Sequence, residues 1–129
     1  MWKTDLRNLK RKLNMNLKPS RVIIFCKSVP VMMEFYSRIT GSKESYIEAD
    51  LKWGELKAGN MNVAFHYSPI AGKNDSRFKL VFFSSTVAAV RKKLTAMGVK
   101  MGTVITSGRL RMCNGRDPEG NVFQISNRE

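Results

Sequence analysis

Histidine is nearly absent from this chain: His66 is the only one in 129 residues. A metal centre built on several imidazoles is therefore excluded, and so is a histidine-rich catalytic cluster. Cysteine is almost as scarce. Cys26 and Cys113 match no metal or redox spacing, and each sits in an apolar, strand-like run, so the sequence predicts two buried thiols rather than a disulfide. That usage suits a reducing, cytoplasmic setting. Acidic residues are few, ten against twenty-three Lys and Arg. No apolar run approaches the roughly 20 residues of a membrane span, and no apolar signal region opens the chain. A transmembrane segment is not expected.

What is present fits one globular domain. A chain of 129 residues with 43% hydrophobic content can bury a core without staples. The net charge is +13, which favours anionic partners: nucleic acid, phosphorylated metabolites, acidic proteins or a membrane surface. Charge alone is equally compatible with a solvated basic surface.

The organisation is a repeat. Arg21–Cys26 is a short β-branched run, followed by Ser28 as an N-cap, a helical stripe of Val29, Met32, Met33 and Tyr36, and Gly41 as the stop. At an offset of 57 residues the run returns as Phe78–Phe83, the cap as Ser85, the stripe as Val87, Val90, Leu94 and Met97, and the stop as Gly98. Three strands are expected after each helix. In the first half they are Ser45–Glu48, Trp53–Lys57 and Asn62–Tyr67, with a turn at Ala58-Gly59-Asn60. In the second they are Lys100–Ile105, Arg109–Cys113 and Val122–Ser126. Each half reads βαβββ, spanning 21–67 and 78–126, with a polar linker between. The fold class is α+β: two paired modules forming a curled mixed sheet around a cleft.

Residues 1–20 lie outside this repeat. Trp2, Leu6, Leu9 and Leu13 recur at helical spacing among Lys3, Arg7, Lys10, Arg11 and Lys12, and Pro19 ends the pattern. The stripe predicts a basic amphipathic helix that docks on the domain or across a dimer; a membrane-surface or nucleic-acid arm is the other reading. Arg109, Arg111 and Arg116, with Arg91, Lys92 and Lys93, form a second basic stretch. It carries no interleaved aromatics and no nucleic-acid-binding motif.

The last strand follows Asp117-Pro118-Glu119-Gly120-Asn121, a turn in which Pro118 sets φ and Gly120 and Asn121 tolerate positive φ. With the paired repeat, and with Glu34-Phe35-Tyr36 in the first helix, this ending resembles the vicinal oxygen chelate superfamily, which includes glyoxalase I, extradiol dioxygenases and the fosfomycin and bleomycin resistance proteins. The resemblance covers residues 21 to 127. It implies a cleft between modules, often completed by a second subunit, and a divalent metal held by His and Glu at four strand positions. Those positions fall here on Arg21, Ala64, Phe78 and Gln124. A cation, a methyl group, a phenyl ring and an amide do not make a divalent site, so neither metal nor other cofactor is expected.

Strand alternation then places Arg21, Phe25, Asn62, His66, Phe78, Phe82 and Gln124 in the cleft. An apolar, aromatic lining with a few polar groups suits a flat or anionic small molecule, with Arg21 as the anion's partner. The same rings could instead plug a closed cleft. The expected function is a metal-free, homodimeric small-molecule binding protein. The alternatives are a metal-dependent glyoxalase- or dioxygenase-like enzyme with an atypical site, and a basic protein that binds nucleic acid or an acidic partner.

Overall fold

The computed structural model describes residues 21–72 and 78–128. The expected N-terminal helix over 1–20 lies outside the described residues. In the first module β1 (Arg21–Cys26) leads through α1 (Val29–Thr40) to β2 (Ser45–Ile47), β3 (Trp53–Ala58) and β4 (Met61–Tyr67). In the second, β5 (Leu80–Phe83) leads through α2 (Val87–Ala96) to β6 (Lys100–Met101), β7 (Ile105–Ser107), β8 (Leu110–Arg116) and β9 (Val122–Ser126). Each module is a mixed sheet. The first has the order β1-β4-β3-β2 and the second β5-β9-β8-β6, with β7 also paired to β8. The first strand of each module runs parallel to its last, and the remaining pairs are antiparallel. The strands do not close into a barrel.

Helix α1 forms for the reasons legible in its sequence. Ser28 accepts a hydrogen bond from the Val31 N–H, Pro30 occupies the first turn where its missing N–H costs nothing, and Gly41 ends the helix at φ 69°. Val29, Met32, Met33 and Tyr36 are buried on one face, packed with Cys26, Leu56, Val63 and Phe65. Helix α2 buries Val87 and Leu94 against Cys113, Phe123 and Ile125. The two cores touch: Phe35, Ile39, Leu80 and Phe82 pack against both. Both cysteines are free and fully buried.

The Asp117–Asn121 turn locks the modules together. The Asp117 carboxylate, 5% exposed, accepts the Tyr36 hydroxyl at 2.8 Å and the N–H groups of Glu119 and Asn121 at 2.9 Å. The Glu119 carboxylate accepts the Lys27 N–H at 2.7 Å and the Ser28 N–H at 2.9 Å. It thus supplies negative charge and acceptors at the start of α1, whose own first turn holds no acid.

Four details of the second module differ from the expectation. Its helix is capped at Thr86, not Ser85, so the helix starts are 58 residues apart, not 57. The strand run begins at Leu80, and Phe78 lies outside it. The expected Lys100–Ile105 strand is two short strands, broken at 102–104. Strand β8 begins after Arg109, which falls in the turn, and continues to Arg116. The first difference has the largest consequence, because a one-residue slip sends every side chain of a strand to the other face.

Candidate functional site

The helices cover one face of each sheet and leave the other open. In the first sheet the pairing Phe25↔His66↔Trp53 sets three rings side by side on the open face. His66 lies 5.6 Å from Phe25 and 5.5 Å from Trp53 between ring centroids, and the Trp53 Nε1–H donates to the Tyr46 hydroxyl at 3.1 Å. Phe25 is 57% exposed, so this row is accessible.

A polar group adjoins the aromatic row. Arg21 pairs with Asn62, and Ile23 with Ala64, which pairs in turn with Glu55 on β3. The Arg21 side chain reaches across β4 to Glu55, Nε to Oε1 at 2.6 Å, while the Asn62 Nδ2 donates to Glu55 Oε2 at 3.2 Å. Ala64, fully buried on this face, is small enough to lie beneath that bridge. Of the residues expected in the cleft, Arg21, Phe25, Asn62 and His66 therefore share one face of one sheet.

The remaining three are placed differently. Phe82 is turned to the core: it stands beside Ile125, with its ring 6.3 Å from Tyr36 and 6.2 Å from Phe123. The reason is the 58-residue offset, which puts Val81 and Phe83 on the open face, 52% and 55% exposed, where Leu80 and Phe82 were expected. Phe78, 87% exposed, lines a groove of about 800 Å³ between the edge strands β1 and β5. Gln124 does face the open side, but of the second sheet, where its Nε2 donates to Asn114 Oδ1 at 3.1 Å.

Glu55 was missed. The signal was present: a two-residue turn at Gly59-Asn60 sets Ala58 opposite Met61, which fixes Glu55 opposite Ala64 and on the face of Asn62 and His66. A charged residue at the centre of a six-residue strand, on the parity of the site, is a buried polar group in search of partners.

The donor set does not suit a divalent metal. With the corrected offset the fifth-strand position passes from Phe78 to Lys79, whose Nζ lies 3.5 Å from Asn114 Oδ1. Arg21, Ala64, Lys79 and Gln124 offer two cations, a methyl and an amide. Among the described residues no three His, Cys, Asp or Glu side chains cluster closely enough to hold an ion. Nor are the thiols poised for chemistry. Burial pushes the Cys26 thiol up to about 12, with Glu119 and Asp117 adding to it, and burial also raises Cys113 against the opposing effect of Arg91.

The second basic stretch is partly committed to turns. Arg91 Nε donates to the Gly102 carbonyl at 2.6 Å, Arg111 Nη1 to that of Gly108 at 2.6 Å, and Arg116 Nη1 to that of Gly120 at 2.8 Å. No helix among the described residues is long and apolar enough to cross a membrane.

Two βαβββ modules locked through a D-P-E-G-N turn, each with one open sheet face, define a paired-module cleft protein. The chain belongs to the glyoxalase-like domain family, which matches residues 21–126, and its structural neighbours lie in the vicinal oxygen chelate superfamily. An integron cassette protein from the mobile metagenome of the Halifax Harbour sewage outfall is similar in fold, with TM-score 0.70, 16% identity, and 84% of this chain and 97% of that one covered. The fosfomycin resistance protein FosX of Listeria monocytogenes, solved as a mutant with Mn(II) and a dihydroxypropylphosphonic acid, gives TM-score 0.70, 13% identity, and 91% and 93% coverage. TioX from Micromonospora sp. ML1 gives 0.67, 14%, and 84% and 97%. No curated protein sequence matches the chain.

Proposed function

We propose that this protein binds a small, flat organic molecule on the open face of its first sheet, without a metal, and does so as a homodimer. The observation that carries this reading is the accessible row Phe25, His66 and Trp53 beside the linked Arg21–Glu55–Asn62 group, of which Glu55 is buried. Adjacent rings offer a stacking surface, and a few fixed polar groups orient what stacks on them. The residues at the family's metal positions favour binding over metal-assisted chemistry. The dimer follows from what the open faces expose: Ile23, Phe25 and Tyr46 on the first sheet, and Val81, Phe83 and Ile105 on the second, are all 43% exposed or more. Apolar side chains grouped on one side of each sheet call for a partner surface, and a second copy supplies the facing wall of a cleft.

Titration with 2-naphthol, followed by proton–nitrogen NMR, tests the binding role. The chain has two tryptophans, so the indole signal of Trp53 is assigned by comparison with a Trp2→Phe variant. The expected result is a saturable shift of that signal, weakened about tenfold or more in Phe25→Ala, as loss of a stacking ring implies. An unmoved Trp53 signal contradicts the proposal.

A further inference from the structure

We infer that the ligand's head group is a hydrogen-bond-donating cation, such as an aryl amidinium, and that Glu55 is its acceptor; this rests on the binding role proposed above and specifies its ligand. Net charge points the other way, towards an anion held by Arg21, so the local geometry has to decide. Arg21 is already matched by Glu55 at 2.6 Å, and Lys57, the nearby cation on β3, lies 3.8 Å from Glu44. Arg21 is thus closely charge-paired, while the Lys57–Glu44 contact is long and exposed to solvent.

The carboxylate is less well served. Glu55 is 8% exposed, yet Oε1 takes no directed hydrogen bond; Arg21 Nε is close to it but badly aligned. Among the described residues, Oε2 takes a single donor, Asn62 Nδ2, at 3.2 Å. An ionised carboxylate offers about four lone-pair sites, and leaving a buried acceptor short of donors is unfavourable. Among the described residues it is the buried side-chain oxygen or nitrogen that lacks a hydrogen bond. Glu55 as a residue lines a cavity of about 330 Å³ with Tyr46, Lys57 and Asn62, while Oε1 itself is shielded from solvent beside Arg21. A planar cation with two parallel N–H donors answers both oxygens at once. Its aromatic body then reaches the neighbouring strand positions of Trp53 and His66, one residue pair along on the same face. The Arg21 side chain, 43% exposed, is free to swing out as the ligand's donors replace it.

The test is calorimetric titration of the full chain with 2-naphthamidine and with 2-naphthoate at near-physiological salt, repeated on Glu55→Gln and Arg21→Ala variants whose folding is verified by NMR. The inference predicts that the amidine binds at least about tenfold tighter than the carboxylate. Glu55→Gln abolishes that preference, and Arg21→Ala, by uncovering Oε1, tightens the amidine. Tighter binding of 2-naphthoate, weakened by Arg21→Ala, overturns the head-group assignment while leaving a small-molecule site in place. Amidine affinity unchanged in both variants overturns it as well. Binding of neither compound, with the Trp53 indole signal unmoved, contradicts the binding role itself.

Discussion

Asp117 and Glu119 show how much work two carboxylates can do when they meet backbone and hydroxyl donors from another module. Removing the Tyr36 hydroxyl strips Asp117 of one of its partners at a site only 5% exposed. Tyr36→Phe is therefore expected to lower stability by about 1–3 kcal/mol in urea denaturation, the range for a lost buried hydrogen bond to a charged group. A cost near zero would show that Asn121 and Glu119 satisfy Asp117 alone. The buried acids Cys26 and Tyr36 also shape the alkaline limb of stability. The Cys26 pKa rises from an ordinary 9.0 to about 12, and that of Tyr36 rises above its ordinary 10.0 through burial and Asp117. Above pH 9 the unfolded chain releases the Cys26 proton while the folded chain retains it. The contribution is thus complete below pH 9 and is lost as pH climbs towards 12. Urea midpoints measured from neutral pH upward should fall from about pH 9, and Cys26→Ala should remove the earliest part of that fall. A midpoint unaffected by Cys26→Ala would contradict it.

At the scale of elements, β5 decides which of its rings reach the open face of the second sheet. Its register puts Phe82 in the joint core and Phe83 outside. Phe82→Ala should cost on the order of 2 kcal/mol or more, somewhat below a fully buried phenylalanine, whereas Phe83→Ala should cost less, and only as far as dimerisation covers its ring. The opposite ranking, read from denaturation midpoints, would restore the register expected from the 57-residue repeat. That expectation failed for an identifiable reason. Ser28 and Ser85 look equivalent, and Gly41 and Gly98 do stand 57 apart, each at positive φ. But α2 starts at Val87 and is the shorter helix, 10 residues against 12. Equal spacing of the stop signals concealed a one-residue shift at the start. The first module was legible because every local signal agreed: cap, Pro30, apolar stripe and Gly41 all fixed one frame, and with it the face of Arg21 and Phe25. Asn62 and His66 followed from strand alternation. Glu55 needed one further step, pairing across that turn, because a carboxylate in a strand is read as solvent-facing until its opposite neighbour is known.

At the scale of the whole molecule, the two open faces and the D-P-E-G-N lock belong to one design. Glu119 and Asp117 hold the last hairpin of the second module on the first helix of the first. That contact, with the shared Phe35 and Phe82 packing, joins the helices' sides of the sheets and leaves their apolar open faces outward. We propose that these faces form a metal-free, small-molecule cleft in a homodimer. Native mass spectrometry of gently purified protein tests it most directly, because subunit number, metal and organic ligand are read in one spectrum. The expected result is a dimer of the 14.7 kDa chain that retains an organic mass, displaceable by 2-naphthamidine, with no stoichiometric metal. A stoichiometric divalent ion, carried through desalting and lost together with bound ligand on chelation, would contradict it.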